Sequence, residues 1–332
     1  MIDSKFARNY RDTCISILRE ESNVESNNLL ILLYHGVSRT RRDTILNYNG
    51  KHLFVDEFAD QIRTIKANCN VLSVDELTHL KLNRDQCPEN TVVITFDDGY
   101  KNNFSVAAPI LSDFQLPATF YVCPGMIDTD LEFWTDKIAK CIDNSKEEFV
   151  SLNCKGEDLQ FPLGNLEEKI AAIEKIKTTC KSITVADKND VIGQLENLNW
   201  STSLANVDEE YLNITWEEVK ELDADPLFTI GGHSLYHDIL SLQSAESMIM
   251  DITICQQLLK YQLVHDVEHF SYPEGGTNHY NAEVVNQLKK QGVVCSPSGI
   301  CGLNSSDTNL FHLKRVMVGL YGLELPRLWD CK

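Results

Sequence analysis

The sequence predicts a parallel α/β fold, and three observations carry that prediction. Short runs of apolar, β-branched residues recur between stretches with helical periodicity. The runs end in unusual polar residues: Leu29–Tyr34 in His35-Gly36, Val92–Phe96 in Asp97-Asp98-Gly99, Leu227–Ile230 in Gly231-Gly232-His233. Polar residues collected at the carboxyl ends of parallel strands are where such folds place their sites.

The elements follow in order. Residues 4–21 carry Phe6, Tyr10, Cys14, Ile17 and Leu18 at helical spacing, and the Ser/Asn/Glu-rich stretch 22–28 reads as a linker. Leu29–Tyr34 is a buried strand. Residues 39–50, with Arg39, Arg41 and Arg42 grouped, form a loop, and a helix runs from Val55 to Ala67 with Phe58, Ile62 and Ile65 on one face. A strand at Val71–Val74 precedes a helix opened by Ser73, whose Asp75-Glu76 suits the dipole of its first turn. After the strand Val92–Phe96 come a helix, Asn102–Phe114, and a strand, Ala118–Val122.

From Asp128 to about Thr215 the chain turns rich in Glu, Lys and Asn and reads as short amphipathic helices (133–142, 166–180, 186–197) inserted as a cap. The alternation then resumes. Helices are expected at Trp216–Leu222, Ala245–Leu263 and 281–291, with strands at Leu227–Ile230, Glu268–Ser271, Val293–Ser296 and Leu313–Val318. The division is therefore 1–28 (helix and linker), 29–127 (first part of the main fold), 128–215 (insertion) and 216–332 (second part).

Composition narrows the partners. The chain has 332 residues, 43% of them hydrophobic, enough for a large core, and a net charge of −19. That charge disfavours nucleic acid and anionic membranes, whose phosphates need clustered Lys and Arg. Eleven cysteines, with no Cys-x-x-Cys pair, suit a reducing compartment, and Cys69, Cys123 and Cys255 sit in apolar or helical contexts. The N-terminus lacks an apolar signal region, and no run approaches the ~18 apolar residues of a membrane span. The expectation is a cytoplasmic protein without a membrane span; oligomeric state is left open.

Two residue groups can do chemistry. Asp97 and Asp98 are adjacent where a strand breaks, so their side chains can address different targets, such as a metal ion and a water. The alternative is a polar turn before a helix. His233 and His237 stand four apart, a spacing that on a helical turn would place both rings on one face and suit a divalent cation. The alternative there is two unrelated surface histidines. One carboxylate and two imidazoles form a first shell that keeps positions open for water, as catalytic sites do, and the second acid can serve as a base.

Thr95-Phe96-Asp97-Asp98-Gly99-Tyr100, His233-Ser234-Leu235-Tyr236-His237 and Phe270-Ser271-Tyr272-Pro273-Glu274-Gly275-Gly276, in that order, resemble the motifs of the polysaccharide deacetylases, the NodB-homology family (carbohydrate esterase family 4). The resemblance implies a distorted (β/α)7 barrel with a helical insertion. It implies Asp97 as general base, and Asp98, His233 and His237 as ligands of one divalent metal ion, zinc first, with cobalt, nickel or manganese as alternatives. The segment Leu32-Leu33-Tyr34-His35-Gly36-Val37 is similar to the permuted, poly-N-acetylglucosamine deacetylase branch, which makes His35 the general acid; His312, the late alternative, matches poorly. His265, His269, His279 and His312 are read as structural or surface residues, and Arg315 as one that could orient a carboxylate.

Tyr100, Tyr272, Pro273 and Gly275 are the implied substrate contacts. Glu274 stands where the family often has an aromatic residue. Phe133-Trp134 either overhangs the groove or packs cap against barrel. The implied activity is metal-dependent N-deacetylation of an acetamido sugar in a polysaccharide or its nucleotide- or lipid-linked precursor. Hydrolysis of another amide (a formamido sugar or cyclic ureide) and a catalytically silent carbohydrate-binding protein are the alternatives.

Overall fold

The computed structural model describes residues 5–22, 29–41, 45–198 and 209–326. The linker expected at 22–28, apart from Ser22, lies outside them, as do Arg42 of the arginine group and residues 199–208 of the insertion.

Strands Val316–Met317, Leu30–Tyr34, Thr91–Phe96, Ala118–Val122 and Phe228–Gly232 lie side by side in that order, all pairs parallel. Asn70–Leu72 pairs with the opening residues of Thr91–Phe96. Single parallel bridges continue the ring from Gly232 to Phe270, from His269 to Cys295 and from Pro297 to Leu313. Leu313 leads directly to Val316, which pairs with Leu32, so the staves close on themselves. The result is the distorted (β/α)7 barrel. Its last staves are irregular: only bridges form where full strands were expected at Glu268–Ser271 and Val293–Ser296.

Apolar patterning accounts for the closed part. Every residue of Leu30–Tyr34, Thr91–Phe96 and Ala118–Val122 is buried, as staves covered on both faces must be. Helices such as Val55–Asn68, with Phe58, Ile62 and Ile65 inward, cover the outside. The helix Val74–Asn83 opens with a capping box between Ser73 and Glu76, which satisfies two orphan backbone donors.

The single helix expected at Asn102–Phe114 is a π-helical turn, Asn103–Ala107, followed by an α-helix, Ala108–Asp113. Pro109 has no N–H for the Ser105 carbonyl, and Arg39 Nη2 donates to that carbonyl instead, at 3.0 Å.

In the insertion, helices Trp134–Asn144, Leu166–Cys180 and Val185–Asn197 pack around Ile138, Ile142, Ile173 and Ile176, in a core that also takes in Ala7, Ile45, Tyr48 and Tyr321 from outside it. It is not purely helical: Phe149–Cys154 and Glu157–Pro162 form an antiparallel hairpin. Lys155 and Gly156 both have positive φ at its turn, as a tight two-residue hairpin demands. Lys-Gly is a weaker signal for such a turn than Asn-Gly, and the reading of the insertion as short helices assigned no element to 149–162. Among the described residues no helix is long and apolar enough to cross a membrane.

Candidate active site

The site lies at the carboxyl ends of the staves. Asp97 and Asp98 follow Thr91–Phe96 directly, and the Asp97 amide donates to the Tyr34 carbonyl at 3.0 Å, tying it to the neighbouring stave. Asp98 has φ 79° and Gly99 φ 86°. The chain therefore reverses sharply, and a Cβ on Gly99 would sit 3.1 Å from the Val122 side chain. His233 continues the stave Phe228–Gly232, its amide donating to Val122 at 2.9 Å. Gly231 allows this approach, since a Cβ there would meet the Tyr121 ring at 2.4 Å.

His233 and His237 do not share a helical turn. Residues 233–237 form a loop in which Ser234 and His237 take positive φ, 60° and 61°, and this brings the rings to 4.9 Å between centroids. Non-glycine residues in this region are strained, and here they cluster at the site. The loop is held from outside: the Leu235 amide donates to Asp251 at 2.8 Å and Trp134 Nε1 to the His237 carbonyl at 3.2 Å. Phe133 meets His237 edge-on at 5.6 Å and Tyr100 at 5.2 Å. Phe133-Trp134 therefore packs the cap onto the loop.

One oxygen of Asp98, Oδ1, is buried without a hydrogen bond. His237 Nε2 lies 3.3 Å from it and His233 Nε2 3.5 Å. His233 Nδ1 donates to the Ser271 carbonyl at 2.8 Å, which leaves the lone pair on Nε2 facing the carboxylate. Ligand atoms around a tetrahedral zinc stand about 3.4 Å apart, given metal–ligand distances near 2.1 Å. The three side chains are the described group that could hold a metal ion, and their donor set fits a divalent cation.

Asp97 is held differently. Arg315 Nη1 and Nη2 donate to its two oxygens, and Ser271 Oγ donates to Oδ2 at 3.1 Å. Burial alone would raise the Asp97 pKa, but Arg315 and His233 outweigh it and keep the carboxyl below its usual range. Burial opposes ionisation of Asp98 too; Lys51 and His237 overcome it and hold Asp98 well below the carboxylate range.

Lys51 carried no sequence signal, standing in an irregular stretch without a motif. Its ammonium lies 3.0 Å from Asp98 Oδ2, 2.5 Å from the Tyr100 hydroxyl and 3.4 Å from Asp136. Arg315, in contrast, does orient a carboxylate, that of Asp97.

A cavity of about 250 Å³ opens over these groups, lined among others by His35, Lys51, Asp97, Asp98, His233 and His237. His35 follows the stave Leu30–Tyr34, and burial lowers its imidazole to about 4. The expected substrate contacts Tyr100, Tyr272, Pro273 and Gly275 do not line this cavity. Tyr100 is wholly buried, its hydroxyl committed to Asp136. Tyr272 points into the core, donates to the Phe311 carbonyl and stacks on Tyr280 at 3.9 Å. Gly275 packs on Gly299, where a Cβ would come within 2.1 Å of the backbone. Glu274 faces the cavity instead and pairs with Lys181 of the cap at 2.6 Å. His279 lines it too, whereas His265 and His312 are surface residues and His269 is buried on Asp75.

The sequence matches the family model described as polysaccharide deacetylase over residues 84–155 and 176–295, more than half of the chain. The chain belongs to the polysaccharide deacetylase family. The gap in the match falls in the insertion, and the match includes neither His35 nor Arg315. No curated protein matches the sequence. Solved structures share the fold at low identity. The Streptococcus pyogenes deacetylase PplD superposes with a TM-score of 0.58 at 16% identity, covering 90% of this chain and 96% of that one. IcaB from Ammonifex degensii gives 0.56 at 18%, covering 92% and 95%. The BpsB deacetylase domain from Bordetella bronchiseptica gives 0.53 at 14%, covering 89% and 97%.

Proposed function

We propose that this family member is a metal-dependent hydrolase that removes the acetyl group from an acetamido sugar. The observation that carries the reading is the convergence of Asp98 Oδ1, otherwise unpaired and buried, with two imidazole nitrogens beside a second, independently anchored carboxylate. A divalent cation held by Asp98, His233 and His237 would polarise the acetyl carbonyl and lower the pKa of a water toward about 7. Zinc suits this donor set, and cobalt, nickel or manganese are compatible with it.

Asp97 is the base in this scheme. Arg315 fixes its orientation and keeps it ionised, ready to accept a proton from the attacking water. His35 is the acid that protonates the departing amine. Burial keeps its imidazole neutral at rest, so the proton it delivers to the amine is one it first accepts within the site, the proton that Asp97 takes from the attacking water. Lys51, itself held by the Tyr100 hydroxyl, orients Asp98 from behind, and the cap residues Phe133 and Trp134 brace the loop that carries His237. The expected setting is the cytoplasm, in keeping with ten described cysteines that are all unpaired.

The test is a screen for acetate release from acetamido sugars, with formamido sugars and cyclic ureides alongside, each with and without chelator. Acetate release that a chelator abolishes supports the reading. Turnover confined to formamides or ureides would replace it with another amide hydrolysis on the same residues.

A further inference from the structure

The same cavity has a second wall, contributed by the insertion. On the helix Leu166–Cys180, Glu174 and Lys177 share a face with Lys181 just beyond its end, and Lys177 and Lys181 both line the cavity. The cationic groups of the cavity differ in how they are matched. Arg315 is paired with Asp97, Lys51 with Asp98 and Asp136, and Lys181 with Glu274. Glu174, the nearest acid on the helix, accepts from the hydroxyls of Tyr48 and Tyr321, both at 2.5 Å.

Lys177 has no such partner. It is only 9% exposed, yet its ammonium makes no hydrogen bond and no ion pair among the described residues and lies over the Tyr48 ring, 5.3 Å from the centroid. Burial disfavours an ammonium, and the Asp136 and Glu174 carboxylates act on this one only from beyond hydrogen-bond and ion-pair reach, so a single cation–π contact leaves it poorly matched. Burial outweighs those two carboxylates and lowers its pKa to about 8.

We propose that Lys177 is an anion subsite of the catalytic cavity, so that the acetamido sugar bound there carries a phosphate or carboxylate group. The proposal rests on the deacetylase reading, and it narrows the substrate from acetamido sugars in general to charged ones. A phosphate would come from a nucleotide- or lipid-linked precursor and a carboxylate from a uronate-type sugar; the chemistry Lys177 recognises is the same. Tyr10, Tyr48 and Tyr321 also line this cavity.

Calorimetric binding to the full chain with three ligands tests this: N-acetylglucosamine 1-phosphate, the methyl glycoside of N-acetylglucosaminuronic acid, which carries only a C6 carboxylate, and the uncharged methyl glycoside of N-acetylglucosamine. At least one charged ligand is expected to bind tenfold or more tightly than the neutral one, and which does so identifies the source of the charge. Lys177→Met should bring the ratio close to one and Lys177→Arg should keep most of it, with melting curves verifying that both variants fold. Equal affinities in the wild type, no measurable binding of either charged ligand, or a ratio that survives Lys177→Met would overturn the subsite. Binding needs no turnover, so the two readings fail separately. Charge preference without acetate release counts against the deacetylase alone, and acetate release without charge preference against the subsite alone.

Discussion

Arg315 holds Asp97 with both arms of its guanidinium, Nη1 to Oδ1 at 2.8 Å and Nη2 to Oδ2 at 2.7 Å, while its Nε donates to the Ser298 carbonyl at 2.7 Å. The pair is buried and joins the end of one stave to the beginning of another 218 residues later. A bidentate clamp of this kind fixes direction as well as charge.

Arg315→Lys should therefore lower kcat by about 10- to 100-fold, since an ammonium cannot hold both oxygens and small misplacements of a catalytic group cost that much. Bound metal should remain. Steady-state kinetics with metal analysis of the same sample checks this, and unchanged kcat would remove Arg315 from the positioning role.

Asp97→Asn should reduce turnover by about 10²- to 10⁴-fold, the usual worth of a positioned base. Full acetate release by this variant would refute the base assignment.

Lys51→Met should destabilise the fold by about 3–5 kcal/mol, because it strands the buried Asp98 carboxylate without its cation and leaves the half-buried Asp136 only the Tyr100 hydroxyl. Urea denaturation of the metal-free protein reads this directly. Adding a divalent cation should recover part of the loss by neutralising Asp98.

Stability should also depend on pH through His269, which lies 2.7 Å from Asp75 at the opposite, amino-terminal end of the staves. Burial would lower the His269 pKa, but Asp75 and Cys295 outweigh it and raise it to about 9. A histidine raised above its unfolded value of about 6.5 stabilises the fold fully below that value, and the contribution disappears as pH rises through 9. Wild type should thus lose about 1–3 kcal/mol between pH 6.5 and 9.5 from this source. His269→Gln should show a flatter profile by denaturant titration across that window; an unchanged slope would sink the assignment.

The alternation of staves and helices was readable because buried parallel strands are continuous apolar runs, and each of the catalytic candidates terminates one. The Asp97-Asp98 pair and His35 were visible for that reason. His233 and His237 were visible for a partly wrong one. Their spacing suggested a helical turn, whereas strained loop backbone at Ser234 and His237 brings the rings together. Tyr272 looked like a groove residue because aromatic rings suit sugars, but nothing local distinguishes a tyrosine facing a cavity from one stacked on Tyr280 in a core. Lys51 and Lys177 were illegible since a lysine acquires meaning only from the carboxylates or the empty space opposite it, and the fold alone supplies those.

The most direct test is the metal content of purified, metal-reconstituted protein, measured by mass spectrometry for wild type, Asp98→Ala, His233→Ala, His237→Ala and Asp97→Asn. One divalent ion per chain is predicted for wild type and Asp97→Asn, with little or none in the other three. A full equivalent retained by Asp98→Ala or by either histidine variant, or none in the wild type, would contradict the assignment of Asp98, His233 and His237 to one cation.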